Sequence, residues 1–375
     1  MSIMKLLDVK KLRENIEKCA KFDLDENNVF GSCYAVAQDG KNLYRGFFGH
    51  SNNDGKSVDE KTVFRLASMT KPVTGFAALI LVDIGLVSLD DPVKKYLPQF
   101  DGIRIVDAEG RDLGKAQNDV KILHLLTHTS GLGSIKYVKT SDKDRETLDD
   151  TVTRFASAGL DFEPFTRQAY SAVAAFDAMA LVIEKVTGRD YGEFLQNEIF
   201  LPCGMVDTTF VPSNEQWGRM AAMHAKVLGK SRVGHTDEGC VFENYPAAHN
   251  LAGAGLVSTL TDYEKFAAML LDEGKAGGKA LVSEESFKLY ATAHVPPHIM
   301  NRPESWGLGV RVIASEEYGT LPVGSFGWSG AYGTHFWVDP KNRITAVFMK
   351  NSRFDGGSGN NSAVRFEHAV ANALM

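Results

Sequence analysis

FRLASMTKPVTGFAAL, residues 64–79, is the stretch on which the reading of this chain turns. It sets Ser68 three positions ahead of Lys71 at a predicted helix start. Over residues 69–84, Val73, Phe76, Ala77, Ile80 and Ile84 recur on one helical face. Pro72 fixes the start, because proline is tolerated only in the first turn, where its missing N–H would be unpaired anyway. The helix is therefore predicted to begin near Met69, with Ser68 at its N-terminal edge. Ser68 then has two readings. Residues i and i+3 share a helix face, so Lys71 can reach Ser68 Oγ as a proton partner. A helix N-terminus also offers free N–H groups and positive dipole to a reacting oxygen. Against this, serine is a favoured N-cap and lysine an ordinary surface charge. The same S-x-x-K spacing recurs at Ser2 and Lys5, so the surroundings must decide.

The chain has 375 residues, beyond the ~250–300 at which one core stops growing, so two lobes are expected. Hydrophobic residues at 44% and charged residues at 23% are ordinary for a soluble globular protein. The net charge of -6 argues against nucleic acid as a partner, since phosphate binding needs a basic face. Cys19, Cys33, Cys203 and Cys240 form no C-x-x-C pair and read as free thiols. The N-terminus lacks the apolar core and cleavage site of a signal peptide. Leu6, Val9, Leu12, Ile16 and Cys19 fall instead at helical spacing. The most apolar run, residues 76–82, is too short to span a bilayer. No membrane partner is expected, and the location is read as cytoplasmic.

Residues 29–52 read as two strands joined at Asp39-Gly40. Residues 103–120 suggest a small ribbon. KILHLLTHTSGLG reads as a helix ending at Gly131, residues 136–150 as a charged solvated excursion, and 171–188 as a helix closed by its glycine. YGEFLQNEIFLPCGM continues helical. From about residue 240 strand character returns in GLGVRVIA, GSFGWSG, GTHFWVDP and ITAVFMKN, before a final helix. Strands at both ends around a helical middle give an α+β fold with a helical insertion. The expected division is 1–85 plus 240–375 as the sheet body and 86–239 as the insertion, one catalytic unit with its site between the lobes.

Four further stretches accompany SMTK: LLTHTSGL at 125–132, Tyr170 in AYSAVAAFDAMALVIEKVTG, LPCGMVDTTF at 201–210, and FGWSGAYGTHFWVDP at 326–340. In this order and at these separations they resemble the serine β-lactamase and penicillin-binding-protein family, nearest to its family VIII carboxylesterase branch. The resemblance implies an antiparallel sheet flanked by helices with a mostly helical second lobe. By position it implies that Ser68 is the nucleophile, Lys71 its partner and Tyr170 a proton-exchanging tyrosine. It implies an oxyanion hole from the backbone N–H groups of Ser68 and Ala331. Trp328, Ser329 and Gly330 stand where the lactamases carry a Lys-x-Gly triplet and would bind substrate, as would Tyr332 and Trp306. The loops around Tyr137 and Asn250 would also shape acyl and alcohol preference. No cofactor or metal is implied.

Two departures bear on substrate. The Tyr-x-Asn motif ends here in Ala172, and the triplet lysine is Trp328, whose indole offers one N–H and no charge. Both remove recognition of an anionic amide and fit a small, neutral ester, cleaved through an acyl-enzyme. With one cation missing, Lys71 and Tyr170 are expected to titrate together, with activity rising toward mildly alkaline pH. A β-lactamase or D-alanyl-D-alanine carboxypeptidase, an acyltransferase, and a non-catalytic binding or assembly protein on the same fold are the alternatives. No G-x-S-x-G occurs. His124 and His128 have the i, i+4 spacing of a zinc pair, but Leu125 stands where a zincin needs glutamate.

Overall fold

The computed structural model describes residues 4–133, 146–227, 230–233 and 249–375. Its centre is a seven-stranded sheet in the order 304–306, 311–313, 326–329, 335–339, 344–349, 31–38, 41–49, antiparallel throughout. The first two strands of the chain turn at Asp39-Gly40, both with positive φ (50° and 72°), as a two-residue hairpin of matching twist requires. Alternation sorts the strand Gly31–Gln38 onto two cores. Cys33 and Ala35 face the larger core, which also contains the helices Thr70–Asp83 and Leu260–Leu271. Tyr34 and Val36 face the terminal helices Val9–Asp25 and Asn361–Ala371. There Tyr34 stacks on Phe348 at 4.6 Å and meets the edge of Phe366.

The N-terminal helix differs from its expected stripe. Asp8 caps it, accepting from the Lys11 N–H, so Leu6 lies before the helix and is exposed, as is Val9. The buried face is Leu12, Ile16, Ala20 and Asp23, with the Asp23 carboxylate paired to Arg365. The ribbon forms as Arg104–Val106 with Asp112–Lys115. The helix Ala174–Thr187 ends on Gly188 at φ 67°.

Three expectations need correction. The helix predicted to reach Gly131 is only Ile122–Leu126, because Thr127 Oγ1 donates back to the Leu123 carbonyl and His128 turns to φ 57°. His124 and His128 therefore share no helical face. The excursion of 136–150 ends earlier than expected: residues 134–145 lie outside the described residues, while Thr147 and Asp150 form a capping box opening the helix Leu148–Ser157. The final third is not all strand. Thr259 caps the helix Leu260–Leu271, whose Tyr263, Phe266 and Leu270 fill the core under the sheet. The thiols of Cys19, Cys33 and Cys203 are free, and Cys240 lies outside the described residues. Among the described residues no helix is long and apolar enough to cross a membrane.

Candidate active site

The chain reaches Ser68 through a strained turn. Ala67 sits at φ 45°, a conformation that costs a non-glycine residue roughly 1–2 kcal/mol. One 3-10 turn, Ala67–Met69, then runs into the helix Thr70–Asp83, and neither start carries a side-chain cap. Ser68 is therefore no N-cap. Its hydroxyl instead lies 3.2 Å from Lys71 Nζ, and its N–H is in the first turn, where helices leave donors without partners.

Lys71 is fully buried. Its Nζ donates to the carbonyls of Ala172 at 2.6 Å and Gly253 at 2.8 Å. Carbonyls only accept, so they hold two N–H bonds and aim a remaining tetrahedral position at Ser68 Oγ. Burial lowers this lysine to about 7, with the Asp177 carboxylate pulling the other way. Asp177, also buried, accepts from the Ala252 N–H at 2.9 Å and lies 3.2 Å from His249 Nε2. It thereby anchors the segment whose Gly253 carbonyl meets the amine. A Cβ on Gly253 would come within 2.7 Å of the Ala172 carbonyl oxygen and 3.3 Å of Lys71 Nζ, so the approach depends on glycine.

Tyr170 stands across from this pair. Trp328 Nε1 donates to Tyr170 Oη at 3.1 Å, and Lys71 Nζ lies over the phenol ring, 4.9 Å from its centre. Burial pushes the phenol up to about 12, against hydrogen bonding from Ser68 and Trp328. The neighbouring lysine thus does not acidify Tyr170. Because indole only donates, Tyr170 Oη receives that bond and keeps its own O–H for another partner.

Gly330 sets the far side. A Cβ there would lie 2.2 Å from the Leu66 carbonyl oxygen, so only glycine lets this strand end rest on the backbone leading to Ser68. Thr334 Oγ1 donates to the same carbonyl at 3.0 Å. The next N–H, of Ala331, has no acceptor among the described residues. Behind the strand, Ser329 Oγ is 2.8 Å from His335 Nδ1, and His335 Nε2 is 3.1 Å from Glu367. Arg311 and Tyr318 also donate to Glu367. Although burial opposes it, His335 and Arg311 hold that carboxyl down to about 2. The chain of contacts looks like a second triad, but Ser329 and His335 are buried and the whole braces the strand to the C-terminal helix.

Ser68 opens into a cavity of about 290 Å³. Tyr170, Trp306 and Trp328 form an aromatic wall, the two indoles 4.5 Å apart edge to face. Ser329 and Ala331 line it, while Gly330 acts as a spacer and Tyr332 packs instead on Ala67 and Met223. Asn250 belongs to a separate cavity beside Asp190, and Tyr137 lies outside the described residues. A larger cavity, about 650 Å³, contains none of the predicted residues; its Arg45 and Glu264 pair with each other. The thiol of Cys203 on its wall is pushed up to about 12, mainly by burial.

Sequence reasoning missed Asp177 and the cavity residues Gln168 and Arg302, and read His128 as a residue that packs or hydrogen-bonds near the Thr127–Gly131 turn rather than a zinc ligand. His128 Nδ1 accepts from the Ser171 N–H at 3.1 Å, which leaves its proton on Nε2. Burial, then the Lys71 charge, hold it well below the usual histidine range, so it packs neutral between Tyr170 and Trp306. Asp177 had a visible signal, as the one acid in the apolar run AAFDAMALVI.

The Beta-lactamase family model matches residues 12–369. An uncharacterized protein of Mycobacterium tuberculosis is 29% identical over 350 residues, 87% of this chain and 86% of its own. Esterase EstB of Burkholderia gladioli is 28% identical over 384 residues, 94% of each chain. Among solved structures, EstCE1, described as a hydrolase with promiscuous acyltransferase activity, superposes with a TM-score of 0.82 at 24% identity, covering 97% of this chain and 99% of its own, a likeness of fold. The match across nearly the whole length, on this sheet and these helices, makes the chain a member of the Beta-lactamase family, a β-lactamase-fold serine hydrolase with esterase relatives.

Proposed function

We propose that this protein cleaves small carboxylic esters through an acyl-enzyme at Ser68. The observation that carries the proposal is the setting of Lys71: a buried amine held near neutrality, with two N–H bonds tied to carbonyls and its remaining direction on Ser68 Oγ. In the proposed cycle neutral Lys71 takes the Ser68 proton as Oγ attacks the ester carbonyl. The N–H groups of Ser68 and Ala331 receive the oxyanion. Tyr170 gives its proton to the leaving alkoxide and regains one from the Lys71 ammonium. Water then enters, losing a proton to the same pair, and releases the acid. The proposal includes the division into a sheet body (1–85 plus 240–375) and a helical insertion (86–239) with the site between them.

Trp328 and Ala172 favour an ester over a β-lactam or D-alanyl peptide, since neither supplies the cation or amide those substrates use. Transfer of the acyl group to an alcohol in place of water is the second reading; a hydrolase of the same fold is described with promiscuous acyltransferase activity. The test is hydrolysis of p-nitrophenyl butyrate by the wild type and Ser68→Ala, with a chromogenic cephalosporin alongside. The expected result is a loss of at least about a thousandfold in the variant, the scale seen when a serine nucleophile is removed. Equal rates would overturn the assignment.

A further inference from the structure

The cation that the lactamases carry in their triplet is absent here, yet the Ser68 cavity is not without one. Arg302 lines it, beside Gln168 and the Trp306 wall. Its partner among the described residues is a neutral one: a terminal guanidinium nitrogen donates to Gln168 Oε1 at 2.9 Å. Arg154, Arg219 and Arg311, by contrast, each pair with carboxylates. Among the described residues no aspartate or glutamate lines the cavity. The guanidinium has five N–H donors, most of them left for a ligand. The backbone on both sides is held. Asn301 closes the short helix Pro297–Met300 in the left-handed region, its N–H donating to the Pro297 carbonyl at 2.7 Å. The Pro303 carbonyl accepts from Ala314 and Ser315 at 2.9 and 3.0 Å. An exposed arginine on a held backbone, at a cavity with no acid among its described lining residues, has the donors to receive an anion.

We propose that Arg302 is a specificity residue for an ester that itself carries a carboxylate, the aromatic wall holding the apolar part and Arg302 the charged end. This rests on the ester-cleaving reading above and replaces the neutral ester expected from the sequence with an anionic one. The position of the charge matters chemically. A lysine in the triplet would act on Tyr170 directly, whereas a rim arginine selects an anion and leaves the Lys71–Tyr170 pair alone.

The experiment compares two matched pairs: mono-p-nitrophenyl glutarate against its methyl ester, and 3-carboxy-4-nitrophenyl butyrate against p-nitrophenyl butyrate. The first puts the carboxylate on the acyl side, the second on the leaving group. The wild type is expected to favour the anionic member of at least one pair in kcat/KM. That ratio should fall about two- to fivefold in Arg302→Gln, the scale of one solvent-accessible ion pair, and further in Arg302→Glu. The loss should sit in KM rather than kcat, and added salt should shrink the wild-type preference. Ratios that are the same in wild type and both variants overturn the proposal and leave the ester reading intact. A readout without turnover runs in parallel: quenching of tryptophan fluorescence by glutarate and by glutaramide, since Trp306 and Trp328 wall the cavity. Arg302-dependent quenching by glutarate with no ester turnover supports the anion subsite and sinks the ester reading. No charge preference in either readout sinks the subsite.

Discussion

Removing the buried carboxylate of Asp177 should make the protein more active in acid. Lys71 must be neutral to take the Ser68 proton, and burial sets it at about 7. At pH 7 about half of the molecules then carry the free amine, at pH 6 about a tenth and at pH 5 about a hundredth. The acid limb of kcat/KM should therefore fall about tenfold per pH unit below 7 and level off above it. Asp177 is the opposing influence, a negative charge that favours the ammonium form. Asn at this position can still accept from the Ala252 N–H through its amide oxygen, so the segment bearing Gly253 keeps its anchor. With the charge gone, the Lys71 pKa drops and the limb moves to lower pH. Normalised to its own plateau, Asp177→Asn should outperform the wild type near pH 6. The assay is initial-rate hydrolysis of p-nitrophenyl butyrate from pH 5 to 9.5, read as kcat/KM. A limb moving upward in Asp177→Asn would refute the electrostatic account. A wild-type rate still climbing tenfold per unit above pH 9 would transfer the base role to Tyr170, whose phenol lies at about 12.

Gly330→Ala brings a methyl group to 2.2 Å from the Leu66 carbonyl oxygen and must push the strand end away. It should cost at least about a hundredfold in kcat, the scale of one lost oxyanion donor, with the far-UV circular dichroism retained; activity within tenfold of wild type would contradict the spacer role. Lys71 also links stability to pH. Between about 7 and its ordinary 10.5 the unfolded chain binds a proton that the folded chain refuses, so wild-type stability rises with pH across that window. Relative to Lys71→Met the wild type should gain about 1.4 kcal/mol per pH unit there, or roughly 3 °C in Tm between pH 7.5 and 9.5. Parallel Tm curves by calorimetry would show that the lysine folds fully charged.

The parts of the fold legible in the sequence are those written in local chemistry. Asp39-Gly40 supplies the two positive-φ residues of a hairpin, Gly188 a left-handed helix end, and Pro72 a helix start. Where local signals conflict, reading along the chain fails. LLTHTSG has helical spacing, yet Thr127 bonds back to the Leu123 carbonyl, Thr129 bonds the Thr127 hydroxyl, and the helix stops at Leu126. The helix Leu260–Leu271 was signalled by the Thr259–Asp262 cap but sits among strands. At the site, Ser68, Lys71, Tyr170 and Trp328 could be picked out as side chains. What gives Lys71 its chemistry could not, because it comes from the carbonyls of Ala172 and Gly253, 101 and 182 residues away, and a carbonyl belongs to every residue. Arg302 was hidden for a similar reason: its proposed role rests on its place at the Ser68 cavity, where no described residue lining it is acidic.

Trp328 explains why the same fold can run with one cation fewer. Tyrosine and lysine ordinarily titrate at nearly the same pH, 10.0 and 10.5, which would leave neither a ready base at neutrality. Burial disfavours charge, and the charged forms of the two have opposite protonation. One enclosure therefore lowers the lysine to about 7 and raises the tyrosine to about 12. A second ammonium in place of the indole would pull the tyrosine back down and narrow that separation. The indole keeps the hydrogen bond to Tyr170 Oη without the charge. In the proposed cycle the environment divides the roles, with Lys71 the base and Tyr170 the acid, as happens wherever neighbouring groups have their pKa values driven apart. On the proposed reading, a substrate's charge would be met elsewhere in the cavity, at Arg302, without disturbing the proposed chemistry at Ser68.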